Sequence, residues 1–166
     1  HDDYAISIAY YENLSPVFGI VYDIVNDLMY VAIKGSGAFL NKKKLPFRPQ
    51  ICLNEAVIDV NLNTVFFYRE KHNMDLKKLN QQSFAHRCIG SAALSLCRIA
   101  LGLHDVYLNN HLSIWDFAAA QIVLEEVGGV VEFPFHSTSL LVPKSVTLNA
   151  ASSMQLLKDV QTIMKQ

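Results

Sequence analysis

The stretch 113–129, Ser-Ile-Trp-Asp-Phe-Ala-Ala-Ala-Gln-Ile-Val-Leu-Glu-Glu-Val-Gly-Gly, limits what this chain can become more than any other. At helical spacing, Phe117, Ala118, Ala119, Ala120, Ile122, Val123, Leu124 and Val127 leave no continuous polar stripe before Glu125 and Glu126. A helix apolar on nearly every face has to be sandwiched, not laid on a surface. Ser113 is placed to cap it, Asp116 suits the positive end of its dipole, and Gly128-Gly129 offers a left-handed exit. An Asp in a first helical turn is ordinarily a capping residue. Here, however, that end of the helix must sit beside the core, and its carboxylate needs a partner.

The flanking pattern supplies the layers. Tyr4 to Tyr10, Val17 to Asp23 and Leu28 to Ile33 are strand-forming runs separated by turn residues, so they pair as an antiparallel meander. Gly35 and Gly37 bracket a bend, Ala38-Phe39-Leu40 leads into a turn over 41–44, and Pro46 and Pro49 mark a crossing. That crossing is the best internal boundary, giving an N-terminal unit over 1–48 and an α/β unit over 49–166. From Val57 the expected order is strand, a polar helix from Asn73 to Gln81, strand Phe84 to Ile89 and helix Ser91 to Leu101. A strand near Val106-Tyr107, the Asp116 helix, strands Val130 to Phe133 and Val146 to Asn149, and a helix from Ser152 to Met164 follow. Such alternation puts helices on both sides of a sheet.

Composition excludes several classes. With 51% hydrophobic and 17% charged residues in 166, the chain can bury a real core. A formal net charge of −1 gives no basic field for a nucleic acid. Lys42-Lys43-Lys44 suits a solvated hairpin tip. No apolar run is long enough to span a bilayer. Three cysteines without a Cys-x-x-Cys suit structural thiols in a reducing cytoplasm. There is no P-loop, dinucleotide fingerprint or nucleophile elbow. The histidines offer no zinc-binding spacing, so His104 and His111 are read as ordinary residues without a catalytic role.

Several ordered blocks carry a resemblance. Trp115-Asp116 followed by Glu126-Val127-Gly128-Gly129, the helix start Gly90-Ser91-Ala92-Ala93, the strand Asp105-Val106-Tyr107, and Lys34-Gly35-Ser36-Gly37-Ala38-Phe39-Leu40-Asn41 together resemble the inositol monophosphatase family. So do Tyr4-Ala5-Ile6-Ser7-Ile8-Ala9 and Gly19-Ile20-Val21-Tyr22-Asp23. The resemblance implies an α/β fold, the layered α-β-α-β-α sandwich of the sugar phosphatases. Only part of its N-terminal antiparallel sheet and its C-terminal α/β domain would be represented here. The family's Gly-Glu-Glu and Asp-Pro-x-Asp-Gly-Thr motifs, which supply most metal-binding carboxylates, do not occur, and the chain opens at His1 without an initiator Met. The expectation is therefore the C-terminal part of a longer protein.

The implied chemistry is hydrolysis of inositol monophosphate or a related sugar or polyol phosphate by metal-activated water, with Mg2+ as cofactor. Magnesium prefers oxygen ligands and is commonly held by one or two carboxylates plus the substrate phosphate. By resemblance, Asp116 is the catalytic and metal-binding residue, fixed by the packing of Trp115 and Phe117, and also lies near the substrate hydroxyls. Gly90, Ser91 and Ala92 are implied to contact the sugar-like ring; read alone, they are a strand end, a helix cap and small packing residues. Asn109 stands where many members have a Glu that bonds substrate hydroxyls. Glu125-Glu126 reads as a solvated helix end and a cap contact. Family members usually dimerise, implying a cytoplasmic homodimer with no nucleic-acid or membrane partner. Fructose bisphosphate, a nucleotide-derived bisphosphate and NADP are alternative substrates within the same chemistry. A non-catalytic binding or regulatory homologue is the alternative outside it.

Overall fold

The computed structural model describes residues 4–134 and 145–165, so His1 lies outside the described residues. Five strands, β1 (Ala5–Glu12), β2 (Ser15–Asp23), β3 (Leu28–Ile33), β4 (Gly37–Leu40) and β5 (Lys43–Lys44), form an antiparallel meander in chain order. The lysine run is thus partly strand: only Asn41 and Lys42 turn the chain, both at positive φ. After a single 3-10 turn at Leu53–Glu55 come β6 (Val57–Val60), α1 (Leu62–His72), α2 (Leu76–Gln82), β7 (Ala85–Arg87), α3 (Ala92–Leu101) and β8 (Val106–Leu112). Then follow α4 (Ile114–Glu125), β9 (Val130–Glu132), β10 (Val146–Ala151) and α5 (Met154–Met164). The second sheet has the order β7-β6-β8-β10-β9, with β6 parallel to both neighbours and β10 antiparallel to both of its own.

The described residues stack as sheet, helices, sheet, helices, which is the layered α/β sandwich. Helices α3 and α4 lie between the sheets. Their Leu94, Leu96, Ile99, Phe117, Ile122 and Leu124 share one buried cluster with Val21, Tyr30, Ala32 and Ala38 of the first sheet and Tyr107, Leu148 and Ala150 of the second. On the far side of the second sheet, Ile58, Val106 and Leu108 pack against Tyr68, Leu79, Leu156, Leu157 and Val160 from the outer helices. Successive residues of β8 point to opposite clusters, as a pleated strand requires. The contact between the first sheet and α4 is close. A Cβ at Gly19 would lie 2.3 Å from the Ala119 carbonyl oxygen, so the backbones approach where only hydrogen fits.

Two expectations need correction. The polar helix expected over Asn73 to Gln81 is α2, which begins after Asp75, and a further helix, α1, precedes it unforeseen: Asn61 caps α1 by accepting from the Thr64 N–H, and Asn73 ends it at φ 51°. The run Val65-Phe66-Phe67-Tyr68 hid α1, because β-branched and aromatic residues carry strand preference that a capped helix overrides. Glu126 is no solvated end either. Its two oxygens accept the backbone N–H groups of Gly35 and Gly37, each at 2.8 Å, while Glu125 pairs with Lys34 at 3.3 Å. The end of α4 is thereby tied to the glycine bend between β3 and β4.

Candidate active site

The parallel strands β6, β7 and β8 end on the same edge of the second sheet, where open α/β sheets present their binding crevices. A cavity of about 470 Å³ lies there. Asp59, Asn61, Cys88, Tyr107, Asn109 and His111 line it from these strand ends, and Ala5 and Ser7 line it from β1. Gly90, Ser91, Ala92 and Ala93 bring in the start of α3, and Leu112, Trp115 and Asp116 the start of α4. All five residues singled out from the sequence, Gly90, Ser91, Ala92, Asn109 and Asp116, therefore meet at one place. Two helix N-termini converge on it, and their unsatisfied N–H groups and dipoles favour an anion.

Asp116 does both of the things a carboxylate at this position can do. Its Oδ2 accepts the Ser113 N–H at 2.7 Å, closing a capping box, and the half-buried side chain still faces the cavity. Phe117, which follows it, packs into the core at 0% exposure. Trp115 does not: it is 72% exposed and stands at the cavity wall, against the expectation that it packs beneath Asp116. The helix turns its small and aliphatic faces inward, and the indole falls outside the sandwich.

At the start of α3, Ser91 caps through the Leu94 N–H. Gly90 has φ +84°, and a Cβ there would meet nothing within 4 Å, so the residue serves a left-handed turn that leaves the space in front of it open. Behind this turn lies Asp59, 2% exposed. Ser95 Oγ donates to its Oδ2 at 2.5 Å and the Ile89 N–H to its Oδ1 at 3.3 Å. Asp59 thus fixes the backbone leading into Gly90 and the first turns of α3. His104, read from sequence as ordinary, is also buried, with Nδ1 3.5 Å from Asp59 Oδ2 and no hydrogen bond of its own.

Asn109 is engaged within its own strand. Its Oδ1 accepts the His111 N–H and its Nδ2 donates to the Tyr107 hydroxyl, both at 2.9 Å. Tyr107 is 5% exposed. Burial pushes its phenol well above the usual range, and the charges of Asp59 and Asp116 push the same way against the Asn109 bond. Sequence reading missed Asp59 and Tyr107 as wall residues. Tyr107 was readable in principle, since it precedes Asn109 by two and so shares its strand face. Asp59 was not, because its neighbours come from 30 to 45 residues away.

Magnesium needs hard oxygen ligands, and Asp116 presents a carboxylate of that kind. Both Asp59 oxygens are committed to internal donors, and no group of three or more His, Cys, Asp or Glu is arranged for a metal among the described residues. The described residues fit a share of a magnesium site through Asp116. No described helix is long and apolar enough to cross a membrane.

Known proteins resemble this chain over most of its length. Inositol-1-monophosphatase of Bacillus subtilis is 37% identical over 127 residues, covering 76% of this chain and 48% of that protein. Mouse inositol monophosphatase 1 is 29% identical over 171 residues, covering 96% of this chain and 59% of its own length. The crystal structure of staphylococcal IMPase-II superposes with a TM-score of 0.86 at 26% identity, over 98% of this chain and 62% of that one. The chain thus spans about half to three fifths of the relatives it matches. The model of the inositol monophosphatase family matches residues 1–165, and the chain belongs to that family.

Proposed function

We propose that this chain is part of a magnesium-dependent phosphomonoesterase that hydrolyses inositol monophosphate or a related small sugar or polyol phosphate. The observation that carries the proposal is the position of Asp116, a carboxylate on a cavity wall where the starts of α3 and α4 meet the ends of three strands. When bound, magnesium neutralises phosphate charge and lowers the pKa of water. Asp116 would hold it by one carboxylate, with the capping bond to Ser113 fixing the side chain's direction. Its other ligands would come from polypeptide outside these 166 residues. Ser91 and Ala92 would meet the polyol, and the dipoles of α3 and α4 would favour the phosphate. The same reading takes the protein to be a cytoplasmic homodimer; Cys52, Cys88 and Cys97 are free thiols, as a reducing compartment favours.

The test is magnesium-dependent release of phosphate. The 166 residues alone should release none, and a longer form carrying an acidic segment upstream should turn over. In that form Asp116→Asn should abolish turnover while leaving the fold intact, since an amide oxygen still accepts the Ser113 N–H. Unchanged turnover in Asp116→Asn would refute the proposal. A panel of inositol monophosphate, fructose bisphosphate, a nucleotide bisphosphate and NADP ranks the substrates.

A further inference from the structure

The hydrogen bonds on the cavity side of β8 leave one hydrogen unassigned. A backbone N–H can only donate, so the amide atom facing His111 N has to be Oδ1 of Asn109, 2.9 Å away. This fixes the amide's orientation and turns Nδ2, which has hydrogens and no acceptor capacity, toward Tyr107. The Tyr107 oxygen, also 2.9 Å away, must then accept. Its own hydrogen is driven off the Asn109 line. Among the described residues no acceptor takes it. The hydroxyl belongs to a side chain only 5% exposed, yet it borders the cavity that Asp116, Ser91 and Ala92 also line. A donor at a cavity wall that no protein acceptor uses is free to bond an oxygen that enters the cavity, such as one brought by a ligand.

We propose that Tyr107 is a substrate-binding residue whose phenolic hydrogen is held out for an oxygen of the bound phosphate ester, and that Asn109 is a positioning residue acting through Tyr107. The inference rests on the reading of this cavity as a phosphate-ester site and names a contact within it. It also gives residue 109 a specific chemistry. A carboxylate there has acceptors only: it would keep the His111 N–H and capture the phenolic hydrogen. The neutral amide releases that hydrogen to the ligand. The phenol stays protonated throughout, because burial and the neighbouring carboxylates oppose its ionisation.

Trp115 is the chain's one tryptophan and stands in the same cavity wall, so its fluorescence reports occupancy without turnover. The longer form carrying the upstream acidic segment is titrated with inositol and inorganic phosphate together in the presence of magnesium, a pair of products that turnover cannot consume. Tyr107→Phe, which keeps the ring in the core, should weaken binding about 10- to 100-fold, the range for a hydrogen bond to a charged oxygen. Asn109→Asp should weaken it too, and by about 10-fold or more less in the Tyr107→Phe background than in the parent. Whatever the added charge costs by itself cancels between the two backgrounds. Wild-type affinity in Tyr107→Phe, additive losses in the double variant, or no saturable change in the parent would each overturn the inference. Turnover of the longer form decides the phosphatase reading separately. Tyr107-dependent binding without turnover sinks that reading alone, and turnover with Tyr107-independent binding sinks this inference alone.

Discussion

The two sheets are built from similar residues but meet different surroundings. In the second, both faces are covered: Val146, Leu148 and Ala150 of β10 pack on α3 and α4, while Ala151 turns to the outer helices. In the first, only one face is covered. Part of its inner face is small, with Gly19, Ala32 and Ala38 aligned across β2, β3 and β4 so that α4 can approach. Its outer face is large and apolar: Ile6, Ile8 and Tyr10 pair with Tyr22, Ile20 and Phe18, and these with Met29, Val31 and Ile33. Ile6, Ile8, Tyr10, Met29 and Ile33 are 44–52% exposed, and no described residues cover them. An apolar strand residue therefore contributes to stability by what packs on it, and the same side chain can be worth several kcal/mol in one sheet and little in the other.

Substitutions can break this contrast. The largest effect should come from Gly19→Val, on the covered face of the first sheet. Its Cβ would strike the Ala119 backbone, which cannot yield as a side chain does, and denaturant unfolding should record a loss of about 3 kcal/mol or more. Next, Leu148→Ala in the second sheet should cost about 2–5 kcal/mol by leaving a cavity in a fully buried site. Ile8→Ala on the bare face of the first should cost under about 1 kcal/mol, and light scattering should find reduced self-association as the apolar patch shrinks. Equal losses for Leu148→Ala and Ile8→Ala would mean that something covers the outer face in solution.

The smallest effect sharpens the contrast at the edge of the covered sheet. His86, on the edge strand β7, meets Ser83 Oγ through Nε2 at 2.9 Å, and burial lowers its pKa below 6.5. A base whose folded pKa is depressed adds stability above its unfolded pKa and loses it as pH falls through the folded one. Thermal melts should thus decline below about pH 6.5 by a margin that His86→Gln removes. An identical acid-side slope in the variant would assign the decline to other groups.

Much of the candidate site was legible because it is made of local signals. The cap at Ser113, the carboxylate at Asp116, the glycine turn at Gly90 and the small residues after it are all set within a few positions of chain, and these residues do come together at the cavity. The meander was legible for the same reason: period-two alternation and turn residues act between neighbours. Where local preference and tertiary context disagreed, the reading failed, as at Val65-Phe66-Phe67-Tyr68, where a run of strand formers is a helix whose Tyr68 reaches Asn149.

The sequence by itself determined that α4 had to be enclosed, that its first turn carries a carboxylate, and that sheets flank it, since hydrophobic spacing and capping chemistry are properties of adjacent residues. Only the tertiary structure decided that Trp115 stands free, that Asp59 fastens the approach to Gly90, and that Asn109 serves Tyr107 with its amide. Those outcomes depend on which distant groups arrive at hydrogen-bond distance. A donor or acceptor acquires its role from the partner it meets in space, and no spacing along the chain specifies that meeting.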